Sequence, residues 1–395
     1  MPVRVLMLAP AYHPMIGGAE SYARCVTTGL AQRGHDIMVV TDGDRVTAPE
    51  KDTDGGARVE RISGYLDLLS DPTKLRWEQM QFSTTGELAE VIERWGVPDI
   101  VFANSHETAV LGSMVALAHH VPLVANFHEQ EPERGPLGTG RARLVYQHLP
   151  LAALIAGSRF YYDKAVDHGS PASSTHLLHH GIDCDLFAND GFRAPDGRFV
   201  MTLSGRIAPR KQQDLMVRVL AGLVGRGIDA HVVIAGRAHS SQRRYYEDLL
   251  ELIEESGMSE RVDVRQELGL HDMPQVYRDS DVVVQPSVAE GLGLAVLEAM
   301  AAGRPVVVSE TTGLREVVRE QHTGIRLPPG DEEGWTEVLE QLARDVDLRA
   351  KYAANALTWV RREFTIDRML SQTERLLESV RDSWSHRPDQ EPELG

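Results

Sequence analysis

Apolar residues along this chain come in short dense runs separated by longer amphipathic stretches. Val3 to Leu8, Asp36 to Thr41, Val59 to Ile62, Ile100 to Ala103, Leu123 to Asn126 and Leu154 to Ala156 are too short for buried helices and read as strands. Between them the spacing turns helical. Ala19 to Arg33 ends at Gly34, and Leu88, Val91, Ile92 and Trp95 recur at helical intervals after Ser83 and Thr84. Strands that alternate with helices predict a parallel sheet covered on both faces.

A polar, Gly- and Pro-bearing stretch, Asn189 to Arg198, interrupts the pattern as an interdomain linker would. The alternation then restarts, with Phe199 to Leu203, His231 to Ala235, Arg261 to Val264, Asp281 to Val284, Pro305 to Val308 and Ile325 to Leu327 as strands. The expected fold class is α/β, with two doubly wound, Rossmann-like domains over 1–188 and 189–365. A C-terminal helix over 366–385 is expected to pack back on the first domain, and an acidic tail over 386–395 to be disordered. Open parallel sheets bind ligands at the carboxyl ends of their strands, so two such domains facing one another would share a cleft.

A length of 395 residues is too great for one ordinary core and agrees with two domains. Apolar residues make up 42% and charged residues 25%, a soluble globular profile, and the formal charge of −17 argues against a nucleic-acid partner. Arg134, Arg141 and Arg143 beside Leu144, Val145 and Tyr146 form a modest basic cluster. It reads as a solvated loop in preference to a peripheral membrane contact. The run Val3 to Ala9 is too short for a signal-peptide core, and no apolar stretch is long enough to span a bilayer. Two cysteines, Cys25 and Cys184, suit neither a disulfide scaffold nor a thiolate zinc site. A cytoplasmic protein with reduced thiols is expected.

The segment Glu290 to Glu298 carries the most chemistry. It follows the strand Val282 to Val284 and runs into a helix over Leu294 to Ala302, so one carboxylate sits on a loop and the other about a turn into the helix. Gly291 and Gly293 allow close backbone approach to a ligand, and the helix start offers amides to an anion. Taken alone, the same residues also fit two surface glutamates and a chain turn.

Two further turns follow first strands. Gly17-Gly18-Ala19-Glu20 opens a helix and can hold a phosphate or sugar by backbone amides, but Gly-x-Gly-x-x-Gly is absent there and after Phe199 to Leu203, which counts against a nicotinamide dehydrogenase. Gly205-Arg206 and Lys211 place cations at a strand-to-helix turn, the guanidinium able to fork onto a phosphate and the ammonium to act as a point charge. His128 follows an apolar strand beside Glu129. Asp42/Asp44, Asp183/Asp185 and Asp279/Asp281 are explained by turn chemistry, so no catalytic metal is expected.

These residues, with Gly236, Pro286-Ser287, Ala299 to Val307, Gly313, Glu316, Thr323-Gly324, Pro329 to Asp331, Ser158 and Gly181-Ile182-Asp183, resemble those of the retaining glycosyltransferases of family four. The resemblance covers nearly the whole chain and implies the GT-B architecture and a nucleotide-sugar donor, by family frequency a UDP-sugar. It implies that Glu298 receives the ribose hydroxyls, and that Glu290 with the backbone of Gly291, Leu292 and Gly293 holds the transferred sugar. Arg206 and Lys211 would stabilise the diphosphate, Gly17 and Gly18 approach it, and His128 contact the sugar near the reacting carbon. Gly205 and Gly236 join the donor side. The family often has Phe at Leu292, Asp at Glu129 and Gly at Gln212. No cofactor is implied. The acceptor, expected near the Gln130 to Gly140 loop, is a small molecule, glycan or natural product. A nucleotide-sugar epimerase of the same architecture and a non-catalytic nucleotide-sugar binding protein are the competing readings.

Overall fold

A computed structural model describes residues 2–15, 17–43, 47–62, 77–128, 138–188 and 197–386, without the side chains of 77–83. Glu129, Arg134, Asp44, most of the Gln130–Gly140 loop, linker residues 189–196 and tail residues 387–395 lie outside the described residues. The chain forms two compact units. One takes the described residues of Met1–Gly157, Tyr161–His180 and Asp367–Gly395, the other those of Ser158–Phe160 and Gly181–Ile366.

The first unit's strands are β1 (Arg4–Leu8), β2 (Asp36–Asp42), β3 (Lys51–Asp54), β4 (Ala57–Ile62), β5 (Ile100–Ala103), β6 (Leu123–Asn126), β7 (Leu151–Ala156) and β8 (Thr175–Leu177). They form one sheet in the order β3-β4-β2-β1-β5-β6-β7-β8, parallel except where β3 runs antiparallel to β4. Leu6 and Leu8 face a cluster containing Leu88, Val91, Val115 and Leu123, while Val5 and Met7, on the opposite face, are equally buried. Strands covered on both sides read as unbroken apolar runs, which is why β1 was legible. The helix Ile366–Ser385 is tied to this unit: Arg33 pairs with Asp367 at 2.6 Å and Glu374 at 2.8 Å, and Trp384 donates to the His120 carbonyl at 2.9 Å.

The second unit's strands are β9 (Phe199–Ser204), β10 (Ala230–Ala235), β11 (Val262–Arg265), β12 (Val282–Gln285), β13 (Val306–Ser309) and β14 (Ile325–Leu327), in the order β11-β10-β9-β12-β13-β14 and all parallel. Val282 and Val284 join the cluster under helices Gln213–Gly225 and Glu332–Arg344, and Val283 joins the opposite one under Leu294–Ala301 and Val346–Glu363. The division between units falls before Gly181, not at the polar stretch from 189. The cause is a backbone pairing: Ile182 bridges Thr365, its amide donating to the Phe364 carbonyl at 2.9 Å, and Phe187 joins the second unit's core. No helix among the described residues is long and apolar enough to cross a membrane.

Candidate functional site

In the second unit the chemistry gathers at the carboxyl ends of β9 and β12. β9 runs into Gly205 and Arg206, and a short turn over Pro209–Lys211 precedes the helix that begins at Gln213. Gly236 follows β10, and a Cβ there would lie 2.0 Å from the Gly205 carbonyl oxygen, so the two strand ends approach in a way only glycine permits. Gly205 in turn lies over the Lys211 side chain, where a Cβ would sit 3.3 Å from Nζ.

Lys211 is 8% exposed and donates to Glu290, itself 6% exposed. The same Glu290 Oε1 accepts from Ser287 Oγ at 2.7 Å and from Gln285 Nε2 at 3.1 Å, and Arg210 stands 3.8 Å from Oε2. Ser287 and Gln285 add hydrogen bonds to the oxygen that Lys211 holds, which offsets part of the cost of burying the pair and leaves Oε2 to the more distant Arg210. Burial pulls the Lys211 ammonium below its ordinary range, against the opposing attraction of Glu290. The Arg206 guanidinium is exposed.

Gly293 caps the helix Leu294–Ala301 with a left-handed backbone, φ 95°, and a Cβ would meet Leu314 at 2.6 Å. Gly291 presents its carbonyl to Ser158 Oγ at 2.6 Å, and Leu292 is buried at 5% exposure beside Val296 and Leu314. Leu292 therefore acts as a wedge under the loop, holding its backbone, while Glu298 lies one turn on. Glu298 is half-buried and accepts from the Tyr277 hydroxyl at 2.8 Å. Burial raises its carboxyl to about 7, and the Tyr277 hydrogen bond only partly offsets that.

In the first unit Gly17 caps the helix Gly18–Gln32 and Gly18 is exposed. The Glu20 carboxylate lies against Gly17, so the helix start already carries a negative charge where a phosphate was expected to approach. His128, just beyond β6, bonds through Nε2 to Asn104 Oδ1 at 3.0 Å, and Asn104 Nδ2 donates to the Ala19 carbonyl at 3.0 Å. Tyr22 meets His128 edge-on at 5.2 Å and packs on His180 at 4.4 Å, with the two imidazoles 5.4 Å apart. Burial, then the neighbouring His180 and His106, hold His128 well below the ordinary imidazole range, and burial puts His180 near 4. Tyr22 lies close enough to the Asn126 carboxamide to interact with it, and His180 Nε2 has no hydrogen-bond partner among the described residues.

The structure thus brings Gly205, Lys211, Gly236, Glu290, Gly291, Leu292, Gly293 and Glu298 into one region of the second unit, with Arg206 at its edge, and groups His128 with the helix that begins at Gly18 in the first. Sequence reasoning missed Tyr277, Gln285, Asn104 and Tyr22, and gave Ser287 no role; only Ser287, three residues before Glu290, carried a local signal. Asp281 also differs from its turn reading: it is buried, accepts from the Val200 amide at 2.8 Å and lies 3.6 Å from Arg349, so it ties β9 to β12. Asp183 does make a turn, accepting from the amides of Asp185 and Leu186 at 3.0 Å. Gln212, at the position where the resemblance leads one to expect Gly more often, keeps the left-handed backbone that glycine favours, φ 51°. Among the described residues no group of three or more His, Cys, Asp or Glu could hold a metal ion.

Residues 188–359 match the model for glycosyl transferases group 1, and residues 16–186 that for Glycosyltransferase Family 4. A D-inositol 3-phosphate glycosyltransferase of Mycolicibacterium smegmatis is 26% identical over 96% of this chain and 93% of that protein. One from Mycobacteroides abscessus is 27% identical over 82% and 77%. Among solved structures, Anabaena HepE in complex with UDP and glucose superposes with a TM-score of 0.77 at 21% identity, covering 95% of this chain and 100% of that one. Sucrose-phosphate synthase from Thermosynechococcus elongatus gives 0.79 at 17%, covering 96% and 99%. With two Rossmann-like units of the GT-B class and both halves matched in order, the chain belongs to the family 4 glycosyltransferases.

Proposed function

We propose that this chain transfers a hexosyl or N-acetylhexosaminyl group, with retention, from a UDP-sugar to a hydroxyl of a small-molecule, glycan or natural-product acceptor. The observation that carries this reading is the Glu290–Glu298 segment with Lys211 against its first carboxylate and Tyr277 beside its second. Glu298 takes the ribose hydroxyls. Lys211 and Arg206 meet the diphosphate, where negative charge grows as the C–O bond to the leaving phosphate breaks, so their attraction is strongest in the oxocarbenium-like transition state. The acceptor oxygen bonds to the same carbon on the face the diphosphate leaves, and its proton passes to the departing phosphate oxygen. No metal is assigned a step, because the two cations take the leaving-group charge.

Glu290 holds the sugar hydroxyls through the oxygen that Lys211 does not occupy, and the loop amides at Gly291 to Gly293 complete that contact. The resemblance assigns His128 to the transferred sugar. The UDP held by the Anabaena neighbour supports the choice of nucleotide, and the inositol phosphate relatives support a cyclitol among the acceptors. The test is incubation with a panel of nucleotide sugars, with and without candidate polyols and a chelator. Release of UDP with a glycosylated product supports the reading; an isomerised donor supports an epimerase instead, binding without turnover a non-catalytic protein, and activity lost to the chelator and restored by magnesium refutes the metal-free step.

A further inference from the structure

We infer that Asn104 is a positioning residue: its carboxamide fixes His128 in the tautomer that carries its proton on Nε2 and couples that ring to the first turn of the Gly18–Gln32 helix. The Ala19 carbonyl can only accept, so the Asn104 atom 3.0 Å from it is the NH2 group. Oδ1 therefore faces His128, and an amide oxygen can only accept, so the Nε2 at 3.0 Å must carry the hydrogen. A neutral ring then has its lone pair on Nδ1.

Burial and the imidazoles of His180 and His106 disfavour the charged ring. Tyr22 lies edge-on to the ring, His180 stands 5.4 Å away, Tyr161 donates to the His128 carbonyl at 3.2 Å, and His106 lies close enough to act on its charge. None of these side chains offers a carboxylate to favour the imidazolium. Asn104 itself is 1% exposed, and its amide extends the β1–β5 ladder by donating to the Leu8 carbonyl at 2.9 Å. Its side chain is thus set by backbone on both sides, which makes it a rigid reference for the imidazole. Sequence alone gave no signal for it, since Asn104 and His128 end neighbouring strands 24 residues apart.

The inference rests on the proposed role of His128 at the transferred sugar, and its test separates the two. Protein labelled with 15N-histidine, with the His128 signal assigned by its loss in His128→Ala, should show an Nε2-protonated neutral ring. Asn104→Leu should give a mixture of tautomers and lower kcat roughly tenfold or more, with the donor KM little changed. Asn104→Asp should favour the imidazolium and give the rate an acid limb absent from the wild type. Loss of turnover in His128→Ala, beside wild-type turnover and an unchanged ring signal in Asn104→Leu, would overturn the positioning role and leave the function standing. Full turnover in His128→Ala would instead overturn the role of His128. Should Asn104→Leu not fold, the pH profile of Asn104→Asp decides, an unchanged profile counting against the proposal.

Discussion

The second unit builds its strand ends from buried charge, and the first builds its own from buried neutral rings. In the second, Lys211 and Glu290 sit almost out of water and survive there because each holds the other, with Ser287 and Gln285 completing the carboxylate. In the first, burial disfavours the charged forms of His128 and His180, with His180 and His106 adding to the effect on His128, and Asn104 bonds to the His128 ring. The difference follows the task proposed for each. A departing diphosphate needs fixed positive charge, whereas sugar hydroxyls need oriented donors and acceptors that carry none.

Breaking the charged side should have the largest effect. Lys211→Ala strands Glu290 without its partner, and chemical denaturation should show a loss of about 3–5 kcal/mol. Turnover in the surviving folded protein should fall at least about tenfold. Next comes the backbone beneath it: Gly236→Ala would press a methyl group onto the Gly205 carbonyl and should cost about 2–3 kcal/mol by the same measurement.

Glu298 sharpens the comparison through pH. Its carboxyl rises from an ordinary 4.5 to about 7 in the fold, so the neutral form is favoured. The stability it contributes is complete below pH 4.5 and is lost as pH rises through 7, about 3 kcal/mol across that range, and Glu298→Gln should remove this slope. Donor binding runs the other way. Ribose hydroxyls donate best to a carboxylate, so UDP affinity should rise with pH up to about 7 in the wild type and lose that component in Glu298→Gln. The smallest effect should come from Gln212→Gly. Relief of a left-handed glutamine and the greater chain entropy of glycine nearly cancel, leaving a change within about 1 kcal/mol by thermal melting.

Elements buried on both faces were legible in the sequence because dense Val, Ile and Leu runs have no other use at that length. β3 and β8 were not: Lys51–Asp54 is a polar, largely exposed edge strand, and Thr175–Leu177 is a three-residue edge. The ends of the site were legible where one segment held them, as Gly291, Gly293 and Glu298 show. What no local pattern could give was pairing across distance. Lys211 and Glu290 are 79 residues apart, and the reading that sent one to phosphate and the other to sugar did not foresee that they hold each other. Tyr277 and Asn104 were invisible for the same reason, the first meeting Glu298 between two helices and the second meeting His128 beyond the ends of neighbouring strands.

The central claim is that the second unit's charged strand ends hold the nucleotide. Calorimetric titration of UDP into the wild type, Glu298→Gln and His128→Ala at pH 8 tests it most directly. The account predicts saturable binding to the wild type, affinity at least about tenfold weaker in Glu298→Gln, and near wild-type affinity in His128→Ala. Wild-type affinity in Glu298→Gln, or loss of UDP binding in His128→Ala, would contradict it.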